Sequence, residues 1–222
     1  KYDKPLLVFF GAKIDYQYKR QRDFMVEGLR DVATGLKKRG IAFIVGDCKG
    51  EVGIEKMLGS VCMLVTDKPY IKEEIIARDI VAEKSDCLFI EVESNLMVPV
   101  ESTSIKEEYS AATLRKKIWR EISLLSYDFV EEIVRVPSIG IDGTVDIDIN
   151  DGVIDLANYN SGVKEVELIG GAKVAREKLN TFIEDKLKNY HMRNLPSEDW
   201  ASGLSHYLHF GHISPIELYQ AI

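Results

Sequence analysis

Residues Ala201–Leu218 read ASGLSHYLHFGHISPIEL, and the rest of the chain is best understood outward from them. Small polar residues, Ser202, Gly203 and Ser205, stand directly before an apolar run with helical character. A helix start leaves backbone N–H groups unpaired and carries partial positive charge, so it can receive a phosphate. Serine hydroxyls add donors, and a glycine lets the backbone approach a ligand closely. The spacing predicts a helix over Leu204–Phe210, stopped by Gly211. A second helix follows, with Ser214 as its cap, Pro215 in its first turn and Glu217 reaching back to complete a capping box. Taken alone, the stretch also fits two plain helices joined by a glycine turn, because capping serines are common.

Composition is that of a globular chain: 222 residues, 45% hydrophobic and 29% charged, long enough for one large or two small domains. No apolar run reaches membrane-spanning length, and Lys1 opens no signal peptide, so a cytoplasmic protein without membrane contact is expected. Cys48, Cys62 and Cys87 lack metal-type spacing and are expected as reduced core residues in or beside buried strands. A net charge of −7 argues against a nucleic-acid surface formed by this stretch alone.

Apolar runs at Leu6–Phe10, Ile41–Val45, Val61–Val65 and Cys87–Val92 predict strands, with Leu96–Val100 as a fifth. Helices are predicted between them over Tyr18–Arg39, ended by Gly40, and over Ile54–Leu58 and Ile71–Glu83. This alternation implies an α/β fold: a parallel sheet with flanking helices. Ligands in such sheets sit at the carboxyl ends of the strands, but Gly46-Asp47 and Thr66-Asp67 make no phosphate fingerprint there and read as loops. Ser104-Ile105-Lys106-Glu107 predicts a capping box for a helix carrying Tyr109, Ala112, Leu114, Ile118, Trp119 and Ile122. Arg115, Lys116, Lys117 and Arg120 form a solvated basic face on it. Pro137–Gly171, rich in glycine and with an acidic alternation at Val145–Ile149, reads as a connector. From Ala172 to Tyr190 the residues Leu179, Phe182, Ile183, Leu187 and Tyr190 share a helical face. The expected domains are therefore 1–136, α/β; 137–171, linker; and 172–222, helical. His206, His209 and His212 fall at mixed helical spacing with no carboxylate or cysteine to complete a metal set, so no metal site is expected.

The string SGLSHYLHFGHISPIEL resembles the photolyase/cryptochrome flavoproteins, whose counterpart reads approximately LS-x-LS-PYLHFG-x-IS. It departs from that pattern at Ala201, Gly203 and His206, where the family often has a larger residue, asparagine and proline. NLMVPVESTSIKEEYSAATLRKKIW (95–119) resembles the N-VVP-x-W-x-AS-x-K-x-EYAARTIR-x-KI segment of class II photolyases, with Glu101 replacing the usual tryptophan. DFMVEGLRDVATGLKKRGIAFIV (23–45) is similar to their FML-x-GL helix and following strand. Gly170-Gly171, Leu179, Phe182, Tyr190 and Arg193-Asn194 match the helix that begins the family's all-helical FAD domain.

The resemblance implies an α/β antenna domain, lacking its first strand before Lys4, and the opening helices of an FAD domain that continues past Ile222. It implies FAD held by Tyr190, Ser202, Gly203, Leu204 and Ser205, with Arg193 on the DNA substrate side, and a second antenna chromophore of unknown identity. The implied activity is light-driven repair of cyclobutane pyrimidine dimers by electron transfer from reduced FAD, in a monomer whose partner is damaged DNA. The cofactor carries such chemistry, so no residue of this chain is expected as acid, base or nucleophile. A cryptochrome-like blue-light sensor, or a flavin-free interaction module, are the alternative classes. These residues alone are expected to hold FAD weakly or not at all and to expose Leu208, Phe210 and Leu218. His212 is placed outside the phosphate site, where its replacement should do little.

Overall fold

A computed structural model describes residues 3–12, 18–47, 54–124, 132–140, 163–164 and 166–222. The chain forms two compact units, residues 1–54 with 132–222, and residues 55–131. The first therefore joins the leading strands and helix to the C-terminal helices, across the boundaries read from composition.

In the first unit, β1 (Leu7–Ala12) and β2 (Ala42–Asp47) pair in parallel, Leu7 opposite Ala42 through Ala12 opposite Asp47. Helix α1 (Lys19–Lys38) connects them and buries Phe24, Met25, Gly28 and Leu29, residues spaced to share one helical face. It ends as its sequence predicts. Gly40 takes φ +74°, its N–H donates to Lys37 O, and Ile41 N–H donates to Leu36 O. These are the two bonds of a Schellman stop, which needs a left-handed residue. Fully buried Ser138 staples the sheet edge: its Oγ accepts from Ala42 N at 2.7 Å and donates to Leu6 O at 2.6 Å.

The second unit holds α2 (Glu55–Leu58), β3 (Met63–Asp67), α3 (Lys72–Glu83), β4 (Leu88–Val92), α4 (Val100–Thr103) and α5 (Ala111–Leu124). β3 and β4 pair in parallel, Met63 opposite Leu88 through Asp67 opposite Val92. The expected parallel α/β architecture is thus present, as two parallel ladders. Val65, Leu88 and Val92 remain exposed, so these strands are not buried on both faces.

Three local expectations in this unit are corrected. Leu96–Val100 forms no strand, because Pro99, which has no N–H for a ladder, caps α4 and its carbonyl accepts from Thr103 N and Oγ1. Ser104 does not cap a helix. Its Oγ donates to Glu108 Oε1 and accepts from Lys117 Nζ, and α5 starts only after Ser110, whose Oγ accepts from Thr113 N. Cys62 is exposed rather than in the core, since it precedes the strand, while Cys87 is half-buried. Cys48 and the Val145–Ile149 alternation lie outside the described residues.

After Ala172 every described element is helical: α6 (Ala172–Thr181), a π turn over Phe182–Lys186, a 3-10 segment over Leu187–Met192, α7 (Ser205–His209) and α8 (Pro215–Ala221). Their core is Phe24 of α1 with Ala175, Leu179, Phe182, Leu204, Tyr207 and Ile213. Among the described residues no helix is long and apolar enough to cross a membrane.

Candidate functional site

The turn between α7 and α8 forms as its residues dictate. Gly211, at φ +69°, donates to Leu208 O, and His212 N–H donates to Tyr207 O, a second Schellman stop. Ser214 caps α8 by accepting from Ile216 N at 3.2 Å, with Pro215 in the first turn. Glu217 does not complete a capping box; it takes the Arg176 guanidinium at 2.5 and 3.2 Å, tying α8 to α6. That pairing raises the Arg176 pKa.

The start of α6 is gripped more closely. Four successive residues have a backbone group held by a distant side chain. Tyr207 Oη donates to Ile169 O at 2.7 Å, and Glu27 Oε2 accepts from Gly170 N at 2.5 Å. His212 Nδ1 accepts from Gly171 N at 3.0 Å, and Asp31 Oδ2 accepts from Ala172 N at 2.9 Å. A helix start must have its N–H groups satisfied, and here α1 and the α7–α8 turn do it. His212 is 9% exposed, and its ring stacks on Phe24 at 4.6 Å. His212 is not among the residues lining the ligand cleft, as expected, but it sits in the core, where its Nδ1 has a buried amide to accept from, so its replacement is expected to cost stability. Tyr207 is fully buried, and burial raises its pKa. Tyr207→Phe leaves the Ile169 carbonyl without its partner and is expected to destabilise by about 1–2 kcal/mol. A urea titration of the full-length protein measures this, and an unchanged midpoint would remove the bond from the account.

Along the end of α6 and the π turn lies an open cleft of 290 Å³ lined by Lys178, Thr181, Phe182, Lys186, Asp199, Ala201, Ser202 and Gly203. Of the residues singled out from sequence, the structure brings Ser202 and Gly203 into it. Ser202 Oγ accepts from Leu204 N at 3.4 Å. Gly203 is at φ +67°, and a Cβ placed on it would meet open space. Left-handed backbone favours glycine and tolerates asparagine. That is the physical reason glycine here and asparagine in the resembling proteins can occupy one position.

Leu204 goes elsewhere. Its side chain is 1% exposed, in the core beside Tyr207, so only its backbone remains for a ligand. Ser205, exposed, opens the five-residue α7. Tyr190 is 39% exposed and meets Phe182, a cleft residue, edge to face at 5.5 Å. Arg193 lies over the Tyr190 ring at 4.4 Å and donates to the Tyr190 carbonyl at 3.2 Å. The π turn disturbs the phase of the predicted stripe: Leu179 and Phe182 are buried, whereas Tyr190 emerges at the surface.

The lysines were missed in sequence. Lys178, Thr181 and Lys186 carry no motif, and their spacing on α6 and its π turn is the signal that could have found them. Lys186 pairs with Asp199 at 2.7 Å. Burial, then the charge of Lys178, lowers the pKa of His206. Thr181 Oγ1 donates to Glu177 O at 3.0 Å and the Asp199 carboxylate holds Lys186, so Lys178, the Ser202 hydroxyl and the Gly203 backbone are the groups that suit an anionic, phosphate-bearing ligand. Leu208 is exposed as expected, while Phe210 and Leu218 pack against the edge of the core. Among the described residues no three His, Cys, Asp or Glu side chains cluster as metal ligands.

Comparison with known proteins agrees with this architecture. The DNA photolyase family model matches residues 1–131. A protein named deoxyribodipyrimidine photo-lyase from Methanothermobacter thermautotrophicus is 33% identical over 221 residues, covering 97% of this chain and 48% of that protein. The crystal structure of an archaeal photolyase from Sulfolobus tokodaii with two FAD molecules superimposes with a TM-score of 0.67 at 19% identity, over 96% of this chain and 46% of the other. A Synechocystis cryptochrome structure gives 0.70 at 15% identity, over 96% and 48%. The chain spans about half the length of the curated relatives it matches. It belongs to the DNA photolyase family, within the photolyase/cryptochrome group.

Proposed function

We propose that the full-length protein carrying this chain is a class II photolyase that repairs cyclobutane pyrimidine dimers in DNA by light-driven electron transfer from reduced FAD. The observation that carries the reading is the cleft, where Ser202 and Gly203 meet Lys178, Thr181 and Lys186. These residues fit the anionic end of a dinucleotide. Ser202, Gly203, the Leu204 backbone and Ser205 would hold the FAD diphosphate, with Tyr190 on its phosphate side. Arg193, stacked on Tyr190, would sit toward the DNA. The FAD, when bound, supplies the photochemistry; the protein contributes binding and orientation. The class II assignment rests on the segments 23–45 and 95–119. A second chromophore, if carried, has no identified site.

The test is FAD content and light-dependent dimer repair by the full-length protein. Repair supports the reading. FAD without repair would favour a light sensor instead, and no FAD in the folded protein would overturn both. Ser205→Ala is expected to weaken FAD by roughly one to two factors of ten, the loss of one hydrogen bond to a charged group. Lys173→Ala, on the outer side of α6 with its side chain 85% exposed, is the control. Equal affinity in Ser205→Ala and wild type would take Ser205 out of the site.

A further inference from the structure

We propose that His212 is a proton-sensitive latch: neutral, it locks the first turn of α6 to α1, and protonated, it releases that turn. The ring is stacked on Phe24, and a Cβ on Gly28 would lie 2.1 Å from Nε2 and one on Gly170 3.0 Å from Cε1. Glycines on two different segments thus leave room for one imidazole and nothing larger. Within the slot Nδ1 accepts the Gly171 N–H at 3.0 Å. An accepting Nδ1 is a lone pair, so the bond exists only in the neutral, Nε2-protonated form. Adding a proton to Nδ1 turns two partners into two donors facing each other, in a site 9% exposed.

The surroundings set the pH at which this happens. From α1, Glu27 and Asp31 face the ring and favour its charged form; from α7, His206 opposes it, and Tyr207 packs beside it. Arg176 of α6, paired with Glu217 of α8, lies near Asp31 and draws on the same carboxylate field. Burial is the largest influence and lowers the His212 pKa below its ordinary 6.5. A folded-state pKa below that of the released ring means the lock is intact above about pH 6.5 and weakens as pH falls from there through the lowered value. The same helix carries Lys178 and Thr181 of the cleft, so the latch holds the element that forms one cleft wall.

The test is amide hydrogen exchange on the full-length protein between pH 7.5 and 5, read as protection factors that correct for the intrinsic pH dependence of exchange. The Gly171 amide is expected to lose protection by up to about tenfold per pH unit below pH 6.5, while amides of β2 hold theirs. Glu27 and Asp31 accept from Gly170 and Ala172, so a carboxylate origin would show at those amides first. His212→Asn keeps an acceptor near the Nδ1 position without a titrating ring and is expected to flatten the Gly171 profile. The wild-type profile stands even if that variant folds poorly. A Gly171 protection factor that does not change over this range, or an acid loss equally steep in His212→Asn, overturns the latch.

Discussion

Gly28→Ala is expected to destabilise the protein by about 3 kcal/mol, although alanine is the better helix former. The added methyl would lie 2.1 Å from His212 Nε2, 2.5 Å from its Cδ2 and 2.9 Å from its Cε1. No rotation of the methyl relieves this, so the ring must leave its slot. Overpacking of this kind costs about 1–3 kcal/mol, and the buried Gly171 N–H left without its acceptor costs about 1–3 more. The gain from replacing a helical glycine, about 1 kcal/mol, offsets only part of that. Gly35, seven residues later on the same helix, supplies the comparison, because a Cβ there has nothing within 4 Å. Gly35→Ala should stabilise by up to about 1 kcal/mol through the same helical preference. Urea midpoints of the two full-length variants should therefore move in opposite directions. Movement of both to higher urea would mean that His212 does not occupy the slot between α1 and Gly170.

Gly203→Val is expected to lower FAD affinity by at least one to two factors of ten, with Gly203→Asn within a few fold of wild type. The contrast follows from φ +67° at a position where a Cβ meets open space. Nothing is displaced by a side chain here; the harm comes from the backbone. A β-branched residue in the left-handed region carries roughly 1–3 kcal/mol of strain, which the loop relieves by moving the Ser202 and Gly203 groups out of position. Asparagine visits that region readily, so the cleft wall keeps its shape. Flavin dissociation constants for both full-length variants, each checked for an unchanged thermal midpoint, measure this. Equal losses in valine and asparagine would locate the effect in ligand clash instead of backbone conformation, and no loss in either would remove Gly203 from the site.

Much of this chain was legible residue by residue. α1, β2 and α3 lie within two residues of the spans that periodicity predicts, and Gly40 and Gly211 stop their helices as expected. Ser214-Pro215 likewise starts α8. These features depend on residues within one helical turn or one strand of each other, so local sequence determines them. The left-handed turn at Gly203 was readable for a related reason, because such turns leave a signature in residue type, whereas α7 starts after Leu204 without a side-chain cap.

The tertiary structure decided where the remaining polar groups go. On a helical wheel Glu27 and Asp31 are solvated carboxylates; in the fold they accept the N–H groups of Gly170 and Ala172, more than 140 residues along the chain. Glu217 left its own helix start for Arg176, since a bidentate guanidinium holds a carboxylate better than a lone backbone N–H. Leu204, adjacent in sequence to the cleft residues, turned inward because burying its side chain against Tyr207 and Leu179 outweighs any role at the surface. The π turn shifted Tyr190 out of a stripe that a regular helix would have kept in phase. Backbone propensity acts over three or four residues, whereas the satisfaction of buried donors and acceptors is settled only when distant segments pack, and that is why the local elements, but not the lock between α1 and α6, could be read from the sequence.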